Sequence, residues 1–178
     1  MIKGRLVDLR AVEPFDIATL ARWLNDPEVM VYWGRPGNTA SVNEIEEQER
    51  SDAARGTSRK YIMLTKDGQA IGQIDYYDLD WQNRSAWISI MIGEADYWSG
   101  GYGTDAMRAL LGYLFRQLSL HRVSLNVHES NTRAIRSYEK TGFVQEAVMR
   151  DWAFFEGHWT NGVLMAVLRE DFERLSAG

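Results

Sequence analysis

Between Thr104 and Leu118, apolar residues stand at positions 106, 107, 110, 111, 114, 115 and 118, the spacing of one helix face. Around this helix the pattern alternates instead. Residues 5–10 (RLVDLR), 60–66 (KYIMLTK), 70–79 (AIGQIDYYDL), 85–92 (SAWISIMI) and 122–128 (RVSLNVH) read as strands. Further strands are predicted near 143–154 and 159–168. Lys66-Asp67-Gly68-Gln69 carries the Asp-Gly signature of a hairpin turn, and Trp81-Gln82-Asn83-Arg84 reads as the next turn. Glu13-Pro14 opens a helix to about Leu24, because proline suits a first helical turn. Asn25-Asp26-Pro27 breaks it, a short helix follows at 27–32, and 34–40 (GRPGNTA) is a loop. Ser41 with Glu44 three positions on predicts a capping box for a helix over 42–54. Asn131 predicts the cap of a helix over 132–140, which Gly142 ends. Antiparallel strands come first, then strand–helix–strand–helix–strand. That order predicts an α/β (α+β) domain, a mixed sheet with helices on its faces.

Composition narrows the class. The 178 residues suffice for one domain with a sizeable core, so 1–178 is read as a single domain. With 45% hydrophobic and 25% charged residues, the chain reads as soluble and globular. No apolar run reaches membrane-spanning length, and MIKGRLVDLRAVEP lacks a signal-peptide core. There are no cysteines, which excludes disulfides, thiol nucleophiles and cysteine metal sites; no metal is expected. These features predict a cytoplasmic protein without a membrane partner. A net charge of −5 speaks against nucleic acid and is compatible with a cationic substrate.

The candidate chemistry starts at YWSGGYGTDAM, which places Gly100, Gly101 and Gly103 where a helix begins. Glycine lets the main chain approach another group closely, and a helix start offers unpaired N–H groups, together a phosphate-binding device. About thirty residues on, NTRAIRSYEKTGF (Asn131–Phe143) opens the next helix. A dinucleotide-binding fingerprint has another spacing and sits near a first strand, and no Walker lysine follows.

Together the two motifs resemble the GNAT superfamily of acyl-CoA-dependent N-acetyltransferases. LARWLNDPEVMVYWG and HRVSLNVHESNTRAIRSYEKTGF look like its RimJ/RimL-type branch. The resemblance implies a mostly antiparallel sheet with a splayed strand pair that holds acetyl-CoA. It implies a pyrophosphate cradle at Gly100, Gly101, Tyr102, Gly103 and Thr104. Trp98 fills the position where the family has Arg or Gln. Main-chain groups of Met91 and Ile92 would pair with the pantetheine arm. Asn131 would both cap its helix and touch the coenzyme, with Arg133 and Arg136 near its phosphates. Tyr138, seven residues after Asn131, would be the general acid toward the thiolate.

The base is less defined. Ser124, Asn126 and His128 share one strand face. Some relatives carry glutamate where Asn126 stands; asparagine can hold a water but accepts no proton. His128 has a suitable ordinary pKa. Asp75 and Glu28 are further carboxylate candidates. Glu28, Tyr32 and Trp33, with Tyr76 or Tyr77, are expected to wall the acceptor pocket, and DWAFFEGHW (Asp151–Trp159) to form a hairpin arm that borders either the acceptor or a subunit contact. The implied acceptor is a protein N-terminus or a small-molecule amine, attacking the thioester directly in a ternary complex. A sensor that binds acyl-CoA without turnover is the alternative. An edge strand near the C-terminus leaves room for a homodimer.

Overall fold

The computed structural model describes residues 1–33, 39–155 and 157–177. The loop expected at 34–40 lies mostly outside them, at 34–38. Eight strands form one sheet: β1 (Ile2–Lys3), β2 (Val7–Ala11), β3 (Arg59–Thr65), β4 (Ala70–Asp80), β5 (Ser85–Ile92), β6 (Arg122–His128), β7 (Val144–Phe155) and β8 (His158–Leu168). Their spatial order is β1-β2-β3-β4-β5-β6-β8-β7. All neighbours are antiparallel except β5 and β6. The helices are α1 (Ile17–Leu24), α2 (Val42–Arg55), α3 (Tyr102–Arg116), α4 (Thr132–Glu139) and α5 (Arg169–Ala177).

Strand alternation distributes the side chains over two layers. On one face Leu9, Met63, Ile74, Ile88, Leu125 and Met165 meet Met107, Leu110, Leu111 and Leu114 of α3 and Phe172 of α5. On the other, Ile62 and Met91 meet Leu20 and Trp23 of α1 and Ile45 of α2. The capping box of α2 forms as its sequence predicts: Ser41 Oγ accepts the Glu44 N–H at 3.2 Å, and the Glu44 carboxylate accepts the Ser41 N–H at 2.7 Å.

Two expected helices change, and two further elements appear. The helix expected from residue 14 begins as a single 3₁₀ turn (Pro14–Asp16), because Asp16 turns back to accept the Glu13 N–H and pairs with Arg10. The helix expected at 27–32 is a 3₁₀ turn over Val29–Tyr32. The short β1 and the C-terminal α5 were not expected. β1 exists because the Asp105 carboxylate collects the N–H groups of Arg5, Leu6 and Val7 at 3.1, 2.7 and 3.0 Å, folding the N-terminus back on β2. α5 had a sequence signal, Phe172 and Leu175 three apart behind an acidic first turn; Phe172 is 4% exposed, in the core.

Candidate active site

β5 and β6 pair only at Ser85–Arg122, Ala86–Val123 and Trp87–Ser124. Beyond Trp87 the two parallel strands part, as two twisted strands do once their ladder stops. A cavity of about 1190 Å³ opens between them. Its walls come from Ile88–Ile92 of β5, Leu125–His128 of β6, the turn before α3, the inner face of α4, and an aromatic end beside the first helices.

The turn before α3 explains the glycines. Gly101 has φ +85°, a left-handed conformation that side chains resist. A Cβ on Gly100 would meet the Tyr102 ring at 2.8 Å. Among the described residues no side chain caps α3, and the N–H groups of its first turn, which have no intrahelical partners, receive none from a cap. Gly101, Gly103 and Thr104 line the cavity. Thr104 Oγ1 and Ser137 Oγ lie 2.7 Å apart, tying α3 to α4 across the gap. Trp98 Nε1 donates to the Ile92 carbonyl at 2.9 Å. The Arg133 guanidinium lies 4.7 Å from the Trp98 ring centroid, a cation–π pair that puts a charge beside the turn. Asn131 Oδ1 accepts the Ala134 N–H at 3.2 Å, the expected cap.

Tyr138 reaches the cavity from α4. Desolvation pushes its phenol up to about 12, above an ordinary phenol that already keeps its proton at neutral pH. His128 is 3% exposed, and desolvation lowers its pKa, which keeps the imidazole neutral at pH 7. Its ring lies 5.0 Å from Trp152 and 6.1 Å from Tyr32. Asn126, on the same strand face, is exposed into the gap. At the far end stand Glu28, Tyr32, Trp33, Tyr77 and Trp152. Trp152 comes so close to the β8 backbone that a Cβ on Gly162 would meet its ring at 2.6 Å.

Most of the residues picked from sequence therefore meet in one cavity: Glu28, Tyr32, Trp33, Met91, Ile92, Trp98, Gly101, Gly103, Thr104, Asn126, His128, Asn131, Arg133 and Tyr138. Four do not line it. Tyr76 is corrected to Tyr77: β4 turns Tyr76 into the α3-side core, 7% exposed, and alternation sends Tyr77 to the cavity. Asp75 lies behind the wall, joined to it by a hydrogen bond from Ser89. Gly100 and Tyr102 form the back of the turn, where Tyr102 packs edge-on against Tyr97 with centroids 5.1 Å apart. The sequence reading missed Ser89 and Ser137. A serine in an apolar strand or on a helix has no spacing signal; only the cross-strand register reveals it.

Residues 6–144 match the family model for the acetyltransferase (GNAT) domain, and the chain belongs to that family of acetyl-CoA-dependent N-acetyltransferases. It is 26% identical over 164 residues to the spermidine N(1)-acetyltransferase of Vibrio cholerae, covering 92% of this chain and 94% of that protein. It is 29% identical over 154 residues to the aminoglycoside N(6')-acetyltransferase type 1 of Klebsiella pneumoniae, covering 80% and 76%. The crystal structure of the V. cholerae spermidine N-acetyltransferase in complex with CoA and spermine superposes with a TM-score of 0.88 at 25% identity, over 94% of this chain and 98% of that one. The cavity fits the family's donor. The uncapped first turn of α3 suits a diphosphate, and the unpaired edges of β5 and β6 suit an extended amide-bearing arm.

Proposed function

We propose that this enzyme acetylates a primary amine of a small polycation, with donor and acceptor bound together. The observation that carries the reading is the continuity of the cavity. It runs from the first turn of α3, past Tyr138 and the β5–β6 fork, to an aromatic end that includes Glu28. An ammonium group is attracted both to aromatic faces and to a carboxylate. Both named relatives act on small molecules bearing several amines. Those names favour a small amine over the protein N-terminus that a RimJ/RimL-type affiliation would suggest.

In this reading the N–H groups of Tyr102, Gly103 and Thr104 hold the diphosphate of acetyl-CoA, with Gly100 and Gly101 shaping the turn. Arg133, held by Trp98, adds charge. Main-chain groups of Met91 and Ile92, together with Asn131, align the pantetheine arm. The donor supplies an activated acyl thioester. Tyr138 holds a proton at Oη for the departing sulfur. Glu28, Tyr32, Trp33, Tyr77 and Trp152 orient the amine, and Asn126 and His128 border its path.

The test is coenzyme A release with spermidine, kanamycin and a peptide with a free N-terminus, each product checked by mass for one added acetyl group. Turnover with spermidine or kanamycin well above the peptide supports the proposal. Preference for the peptide overturns it. Saturable acetyl-CoA binding with no acetylation of any amine would instead establish the acyl-CoA sensor.

A further inference from the structure

We propose that Ser89 and Asp75 form a proton relay that takes the ammonium proton of the acceptor out of the cavity. The inference rests on the amine-acetyltransferase reading above and names a base at the β5–β6 fork, one hydroxyl behind the cavity wall. Asn126, nearest along β6, accepts no proton, while His128 and Glu28 stand toward the aromatic end, His128 beside Tyr32 and Trp152.

Three placements point to the relay. Ser89 stands on β5 two residues past Trp87, the last residue paired to β6, so it sits in the crotch of the fork. It lines the cavity. Asp75 lies directly opposite it on β4, in register, and Ser89 Oγ donates to Asp75 Oδ1. The carboxylate is thus one hydroxyl away from the cavity while lying behind its wall.

The surroundings of Asp75 suit a proton acceptor. Lys60, its register partner on β3, spends its ammonium on Glu49 of α2. Among the described residues Asp75 has no ion pair of its own. Glu49 and Asp52 from α2 oppose its charge, and Lys60 favours it. Tyr77 follows on its own strand and faces the same layer, with its phenol pushed up by burial and by Asp75. Desolvation is the largest influence and lifts Asp75 to about 6, with Ser89 pulling the other way. Such a group is charged at pH 7 and still basic enough to hold a proton in transit.

The step balances. The acceptor nitrogen gives one proton to Ser89 Oγ as the serine's own hydroxyl proton passes to Asp75 Oδ1. The nitrogen is left with its lone pair, Ser89 is unchanged, and Asp75 is neutral. After the product leaves, the same hydroxyl returns that proton to solvent.

Two measurements test the relay. In the free protein, the Asp75 carboxyl is titrated by ¹³C NMR, its signal assigned by its loss in Asp75→Asn. The relay requires titration near pH 6 and a further upward shift in Ser89→Ala, which removes the hydrogen bond to the charged form. In turnover, with whichever of spermidine, kanamycin or peptide is fastest, wild-type kcat should fall on an acid limb near pH 6. Ser89→Ala should lower kcat about 100-fold, and Ser89→Thr, which keeps the hydroxyl, should restore most of it. Asp75→Asn should abolish the acid limb. A carboxyl titrating below pH 4.5, or a Ser89→Ala enzyme with wild-type kcat and an unchanged limb, overturns the relay and leaves the acetyltransferase reading standing. A wild type that acetylates none of the three amines overturns both.

Discussion

At the residue scale, the site depends on a few groups held in unusual states. Tyr138 is one: desolvation raises its phenol to about 12, so it holds its proton more firmly than an ordinary tyrosine, and its sole proposed task is to carry that proton. Tyr138→Phe keeps the ring packed near Phe143, at a centroid distance of 6.0 Å in the wild type, and removes only the hydroxyl. The expected result is a kcat lowered about 100-fold with the acetyl-CoA Kd within about threefold; steady-state kinetics together with a binding titration check it. Asp75 is another. Its folded pKa of about 6 lies above the ordinary 3.8, so folding takes up a proton between those two values. The charged form therefore costs stability above pH 6, and the cost disappears as pH falls toward 4. Asp75→Asn should unfold at higher urea than wild type at pH 8, by roughly 2 kcal/mol, and match it at pH 4. A variant less stable than wild type at pH 8 would contradict the account of that carboxyl.

At the element scale, β4 and β5 do two jobs: they close the core and they carry polar groups on the α1–α2 face. Gln73 shows the cost of the second. It is 1% exposed, and neither amide atom has a hydrogen-bond partner among the described residues. It pairs in register with Ile62 and Met91, which are apolar core residues. Gln73→Met keeps the shape and removes the polar atoms, and should raise stability by about 1 kcal/mol in chemical denaturation; a loss of that size would show that the amide is paired after all. How much of these elements could be read in the sequence follows from range. The helix face of α3, the Ser41 capping box and the Asp67-Gly68 turn are set by neighbours a few positions apart, and they formed as read. β1 could not be read, because its cause, Asp105, lies about a hundred residues away. The side of Tyr76 versus Tyr77 was open for a related reason. Alternation says that the two face opposite ways but not which face is which until the sheet is assembled.

At the scale of the whole molecule, one cavity has two ends with different chemistry. The end proposed for the donor, the Gly101 turn with Asn131 and Tyr138, is marked in the sequence by two motifs with fixed spacing. The end proposed for the acceptor carries no such motif. Glu28, Tyr32 and Trp33 line it, and Trp152, inside the Asp151–Trp159 stretch expected to border it or a subunit contact, enters from the β7–β8 hairpin, its position depending on the bare backbone at Gly162. The two ends should fail separately. Trp152→Ala should raise the KM of the amine acceptor about tenfold and leave the acetyl-CoA Kd unchanged. A change in donor affinity alone would contradict the division. Substitution at Gly101 should do the reverse.

The most direct measurement is calorimetric titration of acetyl-CoA into the wild type and into Gly101→Val. A branched side chain at φ +85° distorts the turn before α3 while leaving the helix face and the core in place. Binding to the wild type should be saturable and one-to-one, with at least a tenfold weaker Kd in the folded variant. Equal affinity in the two proteins would contradict the central claim that the uncapped first turn of α3 holds the donor.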